Sequence, residues 1–214
     1  MTPKDASAYA KEICGLAPVI PVIVVDDLDH AVPLAKALVA GGLPVLEVTL
    51  RTPVALDVIK AMADVEGGVV GAGTLLSPAD VKAAKAAGAK FGVSPGLTDE
   101  LLAACEAEEL PLLAGTATIS EAMRLLARGY DVAKFFPAEV NGGAKALKGF
   151  SGPLPQMNYC PTGGISLSNA PDYLSLPNVM CVGGSWVVDK KLMAGGNWDE
   201  IESLASDASK LSRG

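Results

Sequence analysis

A single lysine interrupts an apolar segment in the second half of the chain. Residues 131–137 read Asp-Val-Ala-Lys-Phe-Phe-Pro, and strand alternation places Lys134 on one face with Val132 and Phe136. Burial of an unpaired ammonium disfavours its charged form, and the neutral amine can attack a ketone to form a Schiff base. The alternative is a structural lysine whose stem is buried and whose ammonium reaches solvent at the strand end.

Polar and apolar residues alternate along residues 44–51, which read Pro-Val-Leu-Glu-Val-Thr-Leu-Arg. Glu47, Thr49 and Arg51 therefore share one face of a predicted strand. Polar groups on a buried face are costly unless they are paired or used. We interpret Glu47 as a general acid/base and Arg51 as a bidentate clamp for a carboxylate. A buried ion pair between Glu47 and Arg51 is the structural alternative.

Two later segments end in glycine pairs. Gly163 and Gly164 close the seventh predicted strand, and Gly183, Gly184 and Ser185 close the eighth. Glycines let backbone N–H groups approach an anion, and helix N-termini add a favourable dipole, so we predict a phosphate site here. Thr74 ends the third strand and is a candidate hydroxyl contact, with an ordinary turn as the alternative.

Metal ligands are scarce in this sequence. The one histidine, His30, falls between the first strand and its helix and is expected at the surface. The four cysteines form no C-x-x-C pair, and Cys160 and Cys181 lie in apolar runs typical of core positions. We therefore expect no bound metal.

The elements that must position these residues recur along the chain. Eight β-rich segments begin 21 to 25 residues apart, with Ala/Leu-rich helical stretches between them. The segments are 19–25, 44–50, 69–75, 90–95, 111–116, 132–137, 157–162 and 179–185.

Helix signals lie between these segments. Caps and acidic residues at Ser77, Thr98 and Ser120–Glu121 predict helix starts, and residues 199–211 predict a closing amphipathic helix. Strand and helix alternating eight times predict an α/β fold, the (β/α)₈ or TIM barrel, as a single domain over residues 1–214 with an N-terminal helix. An open doubly wound sheet and a repeat solenoid are the alternatives; no leucine-rich repeat recurs.

Composition narrows the functional classes. The chain has 214 residues and a formal net charge of −7, which disfavours nucleic acid as a partner. The longest apolar stretch, 16–25, is too short to span a membrane, and the first residues lack the pattern of a signal peptide. We expect a cytoplasmic protein that binds no membrane.

Several short segments together resemble one enzyme family. They read LEVTLR at 46–51, GAGT at 71–74, SPG at 94–96, KFFPAE at 134–139, NGG at 141–143, PTGG at 161–164 and VGGSW at 182–186. In this order they are similar to the bacterial 2-keto-3-deoxy-6-phosphogluconate (KDPG) aldolases, which also include 4-hydroxy-2-oxoglutarate (KHG) aldolases.

The resemblance implies a homotrimer of (β/α)₈ barrels that acts in the Entner–Doudoroff pathway. Its partners would be a small-molecule 2-keto acid and a phosphorylated aldehyde, since the reaction cleaves KDPG reversibly to pyruvate and glyceraldehyde 3-phosphate. No cofactor is implied beyond a covalent imine at the lysine.

The resemblance also implies roles for individual residues. Lys134 would be the Schiff-base lysine and Glu47 the acid/base. The implied substrate contacts are Arg51, Thr74, Pro95, Phe136 and Thr162, and the implied phosphate contacts are Gly163, Gly164, Gly184 and Ser185.

Three other functions remain open from the residues alone. An isomerase or synthase barrel would share the phosphate site without needing Lys134. An aldolase of the same type could act on KHG or on the galactonate epimer of KDPG. A non-catalytic barrel could use the site only to bind a sugar phosphate.

Overall fold

Strands and helices alternate along residues 1–214 of the computed structural model. The strands are β1 (Val19–Ile23), β2 (Val45–Thr49), β3 (Val69–Gly73), β4 (Gly92–Val93), β5 (Leu112–Leu113), β6 (Gly115–Thr116), β7 (Val132–Phe135), β8 (Asn158–Pro161) and β9 (Val182–Gly184). The helices are α1 (Pro3–Leu16), α2 (Ala31–Ala40), α3 (Ala55–Ala63), α4 (Pro78–Ala86), α5 (Asp99–Ala107), α6 (Ile119–Arg128), α7 (Gly143–Phe150), α8 (Ala170–Leu174), α9 (Lys190–Ala194) and α10 (Trp198–Ser209).

All the strand pairs are parallel, and together they close a ring. One sheet has the order β5-β4-β3-β2-β1-β9, and a second has the order β6-β7-β8. Bridges from Tyr159 to Val179 and from Thr162 to Gly183 join β8 to the β9 segment. The chain itself links β5 to β6, so the predicted (β/α)₈ barrel is confirmed.

The fifth barrel strand is divided in two, which the sequence did not indicate. β5 pairs with β4, whereas β6 pairs with β7. At the start of β6, the N–H of Gly115 donates to the Ser94 hydroxyl at 3.4 Å instead of to a neighbouring strand carbonyl. The strands are also shorter than the predicted segments, because the ends of those segments bend into loops at the rim.

Helix α1 closes the N-terminal end of the barrel. Its Ala10, Ile13 and Cys14 are buried in a cluster with inward residues of the strands, among them Val45 and Val132. Cys160 and Cys181 belong to the same cluster, which confirms their interpretation as core residues. The barrel therefore has an apolar floor, and only its opposite end is open.

Alternation along β2 follows the sequence prediction. Leu46 and Val48 are buried in the larger cluster between strands and helices, whereas Glu47 and Thr49 lie inside the barrel wall. The larger cluster contains 51 buried residues, so most of the apolar burial lies between the sheet and its helices. No helix is long and apolar enough to cross a membrane.

Two of the three predicted helix starts are confirmed and one is shifted. Ser77 and Thr98 cap α4 and α5 as expected. Helix α6, however, begins after Thr118, whose hydroxyl accepts from the Glu121 N–H while the Glu121 carboxylate accepts from the Thr118 N–H. This reciprocal capping box satisfies two N–H groups, which Ser120 could not do from inside the first turn.

We expect Gly41→Ala to destabilise the fold, because α10 lies directly against this end of α2. A Cβ on Gly41 would lie 2.4 Å from the Ala205 Cβ and 2.6 Å from the Glu202 carbonyl oxygen. Overpacking of this kind costs about 1–3 kcal/mol. Urea unfolding would measure the loss.

The matched control is Gly15→Ala in α1, where an added Cβ meets nothing within 4 Å. Alanine there should leave the free energy of unfolding unchanged or raise it by up to about 1 kcal/mol, because it is the better helix former. Equal stabilities for the two variants would contradict the packing explanation.

Candidate active site

Two connected chambers open at the C-terminal end of the barrel strands. The inner chamber has a volume of about 160 Å³ and the outer about 340 Å³. Val22, Arg51, Phe136 and Thr162 line both chambers, so they form one cleft. The inner chamber is also lined by Glu47, Thr49, Thr74, Pro95 and Lys134.

A buried ion pair lies at the base of the inner chamber. The Nζ of Lys134 is 3.1 Å from the Oε1 of Glu47, and the two side chains are only 6% and 4% exposed. The sequence had indicated an unpaired ammonium, which is wrong, because β2 places a carboxylate opposite β7. The alternative Glu47–Arg51 pair is also wrong, since the ion-pair partner of Glu47 is Lys134.

The protonated form of Glu47 is more favoured in this buried position than it would be in water. Burial raises the pKa of the Glu47 carboxyl above its usual value, and the Lys134 ammonium offsets part of that rise. Gly73 makes this position possible, because a Cβ there would lie 2.5 Å from the Glu47 Oε1. The carboxyl is thus placed to exchange a proton with Lys134 and with a ligand in the chamber.

Lys134 also lies beside an aromatic ring. Its Nζ is 5.2 Å from the centroid of the Phe136 ring, which lines the wall of both chambers. Ring and carboxylate thus both contact the Nζ at the base of the chamber.

Two threonines of the inner chamber differ in their hydrogen bonding. The Thr49 hydroxyl donates to the Ile23 carbonyl at 2.9 Å, which ties β2 to β1. The Thr162 Oγ1 is buried and has no hydrogen-bond partner within the chain. A buried hydroxyl without a partner is costly, so Thr162 is the one available for a ligand.

Arg51 and Thr74 lie just beyond their strands. The sequence placed Arg51 on the strand face, but β2 ends at Thr49 and Arg51 occupies the following turn, exposed and without an ion pair. Its guanidinium is free to bind an anion at the boundary of the two chambers. Thr74 has φ 65°, a left-handed conformation that is strained for a β-branched residue and is concentrated at functional sites.

The outer chamber presents free backbone donors. It is lined by Gly163, Gly164, Gly184 and Ser185, and the N–H groups of Gly163, Gly164 and Ser185 donate to no acceptor in the chain. The first two glycines have φ values of 102° and 78°.

The helix dipole expected at this chamber is not supported. Helix α8 has only five residues and starts at Ala170, well after the glycine pair. The donors therefore belong to the turns themselves.

The structure brings together all of the candidate residues named from the sequence, and it adds others. The sequence predicts Thr49 on the inner face of the strand but assigns it no chemical role. The sequence analysis does not identify the aliphatic wall of the outer chamber, which is formed by Val24, Ile165 and Val188, or the cation Lys190. Alternation along the first strand could have indicated Val22 and Val24, whereas Lys190 is the first residue of the five-residue helix α9, which is too short to give a periodic signal.

The single histidine, which the sequence predicts to lie at the surface, does not belong to the cleft. His30 packs its ring edge-on against Trp198, with centroids 5.6 Å apart, and does not line either chamber. No group of three or more His, Cys, Asp or Glu side chains is arranged to hold a metal ion.

Comparison with known proteins identifies the family to which this sequence is similar. The family model described as KDPG and KHG aldolase matches residues 10–204. The 2-dehydro-3-deoxy-phosphogluconate aldolase of Pseudoalteromonas atlantica is 50% identical over 206 residues, which is 96% of each chain.

Solved structures agree with that match. The KDPG aldolase of Zymomonas mobilis ZM4 with 3-phosphoglycerate is 47% identical, covers 97% of this chain and 98% of its own, and has a TM-score of 0.91. The KDPG aldolase of Legionella pneumophila, with pyruvate captured as a covalent carbinolamine, is also 47% identical with a TM-score of 0.91 and covers 94% and 98%. This chain belongs to the KDPG and KHG aldolase family.

Proposed function

We propose that this protein is a Schiff-base aldolase that cleaves KDPG reversibly to pyruvate and glyceraldehyde 3-phosphate. The observation that carries the proposal is the buried pair of Lys134 and Glu47, 3.1 Å apart, at the base of a chamber large enough for a small keto acid. The relative from Legionella pneumophila holds pyruvate as a covalent carbinolamine, which is the intermediate expected of such a lysine.

The first step is the capture of the ketone. Glu47 accepts a proton from the Lys134 ammonium, and the neutral amine attacks C2 of the substrate to give a carbinolamine. Its hydroxyl takes up a proton and leaves as water, which yields an iminium ion on Lys134. The raised pKa of Glu47 suits this step, because a carboxyl that is costly to ionise accepts a proton readily.

The second step breaks the C3–C4 bond. A base removes the proton of the C4 hydroxyl, the C4 oxygen forms a carbonyl, and the bonding electrons move into the iminium to give an enamine. Glyceraldehyde 3-phosphate leaves, C3 of the enamine takes a proton, and water releases pyruvate. Glu47 is the only carboxylate in the cleft, so we assign both proton transfers to it, directly or through water.

The remaining residues orient the substrate. Arg51, at the boundary of the chambers, would bind the keto-acid carboxylate with Thr74, and Thr162 offers its free hydroxyl. Pro95 and Phe136 would pack against the three-carbon unit. The phosphate would accept from the free N–H groups of Gly163, Gly164 and Ser185, next to Gly184.

A second substrate is supported by the same chamber. The family model includes KHG aldolases, and the capture step needs only a 2-keto acid. We therefore propose KHG cleavage as a second activity of the inner chamber. The homotrimer, the pathway and the cytoplasmic location stay predictions.

Replacement of the nucleophile tests the proposal most directly. We expect wild-type protein to trap pyruvate on Lys134 under borohydride, and Lys134→Ala to trap none and to lose aldol cleavage. Peptide mass mapping locates the adduct. The control is Lys148→Ala, an exposed lysine of α7, which should trap pyruvate as the wild type does. An adduct on another lysine, or none in folded wild-type protein, would refute the assignment.

Replacement of the proposed base should separate imine formation from turnover. Glu47→Gln keeps the size of the side chain but cannot take a proton, so we expect kcat to fall by about 10²–10⁴-fold. Pyruvate should still be trapped by borohydride, although more slowly. Unchanged kcat would move the base to another group or to water alone.

The pH dependence of kcat should report the buried carboxyl. Because burial raises the pKa of Glu47, its basic form is lost at a higher pH than for an ordinary glutamate, whose pKa is about 4.3. Activity should therefore decline on the acid side as pH falls through this raised value. In Glu47→Gln this acid limb should disappear; an identical limb in the variant would assign it elsewhere.

A further inference from the structure

The outer chamber contains one charged side chain that the inner chamber does not share. Among its thirteen lining residues only Arg51 and Lys190 are charged, and Arg51 also lines the inner chamber. Lys190 is therefore the single cation that faces only the part of the cleft distant from Lys134. Neither the family match nor the sequence pattern had indicated this residue.

Lys190 forms an ion pair with a carboxylate outside the cavity. Its Nζ lies 3.1 Å from the Oδ2 of Asp26, in the loop that follows β1, and the two side chains are 66% and 68% exposed. Asp26 does not itself line the chamber. Such an exposed pair contributes little free energy, so the ammonium can leave Asp26 for a stronger anion.

The charges within the cleft indicate that this anion is a phosphate. Lys134 is neutralised by Glu47, and Arg51 is a single charge suited to one carboxylate. A phosphate monoester adds about −1.5 to −2 at neutral pH. The free N–H groups of the glycine turns supply partial charges only, and Lys190 is the full cation that the outer chamber does not share with the inner one.

We propose that Lys190 is a specificity-determining residue that selects substrates with a phosphate at the end distant from the keto acid, and that Asp26 competes with this phosphate for its ammonium. The proposal rests on the proposed aldolase function and adds to it the source of the preference for a phosphorylated aldehyde. Asp26 keeps Lys190 near the rim when the chamber is empty and sets how strong an anion must be to displace it.

The experiment compares Lys190→Ala and Asp26→Asn in the full-length protein. With KDPG as substrate, Lys190→Ala should raise KM about tenfold, the scale of one charge-assisted hydrogen bond. Asp26→Asn should lower KM, because it removes the competing carboxylate. The pyruvate concentration that gives half-maximal borohydride trapping should stay at the wild-type value in both, because pyruvate carries no phosphate.

Ionic strength supplies a second measurement. Added salt screens exposed charges, so KM for KDPG should rise with salt in the wild type and rise less in Lys190→Ala. Lys191→Ala is the matched control, because Lys191 is the exposed neighbouring lysine, does not line the cleft and carries the same charge. It should behave as the wild type in all three measurements.

The possible results distinguish a failure of this inference from a failure of the proposed aldolase function on which it rests. Wild-type protein that traps no pyruvate would refute the aldolase proposal itself. Normal trapping with an unchanged KM in Lys190→Ala, or with equal increases in Lys190→Ala and Lys191→Ala, would overturn the role of Lys190 alone. A higher KM in Asp26→Asn, matching that of Lys190→Ala, would overturn the competition between Asp26 and phosphate.

Discussion

Burial of Lys134 and Glu47 together removes two charged groups from water, and each is tolerated inside the barrel only because the other is 3.1 Å away. Removal of one partner would leave an uncompensated buried charge, which is strongly unfavourable. In the proposed mechanism, the same low exposure favours reaction, because a proton can pass from ammonium to carboxyl without reorganising solvent. The chemistry and the stability of this part of the barrel thus depend on one contact.

The surrounding structure serves to hold that contact in place. Gly73 on β3 leaves the space that the Glu47 carboxylate occupies, and the Phe136 ring lies beside the Lys134 ammonium. Below the pair, α1 and the inward apolar residues close the barrel, so a ligand can reach the pair only from the open end. In the proposed function, this one-ended arrangement would set the direction of the substrate, with its keto acid inward and its other end at the rim.

The two chambers differ in how they would recognise a substrate. The inner chamber uses buried side chains whose positions are set by strands, which suits a group that must be oriented for bond breaking. The outer chamber uses backbone donors of glycine turns and one exposed lysine held by a weak ion pair. In the proposed roles, the outer contacts would select for negative charge at the distant end of the substrate, whereas the inner contacts would fix the geometry of the keto acid.

Much of this arrangement could be predicted from the chain alone. The spacing of eight apolar segments gives the barrel, and alternation within two of them places Glu47 and Lys134 on the inner face, because side chains two residues apart share a face. The location of the site follows as well, since loops after parallel strands meet at one end of a barrel. These features are local, and each depends on residues close together in the sequence.

The contacts between distant residues were decided only by the tertiary structure. Which carboxylate faces Lys134 depends on how β2 and β7 lie across the closed ring, 87 residues apart in sequence, and alternation carries no information on that distance. The division of the fifth strand likewise depends on distant partners, because β5 pairs with β4 whereas β6 pairs with β7. Lys190, the first residue of α9, and Asp26, in the loop after β1, are 164 residues apart in sequence, so only folding brings their charges together at the rim of the cleft.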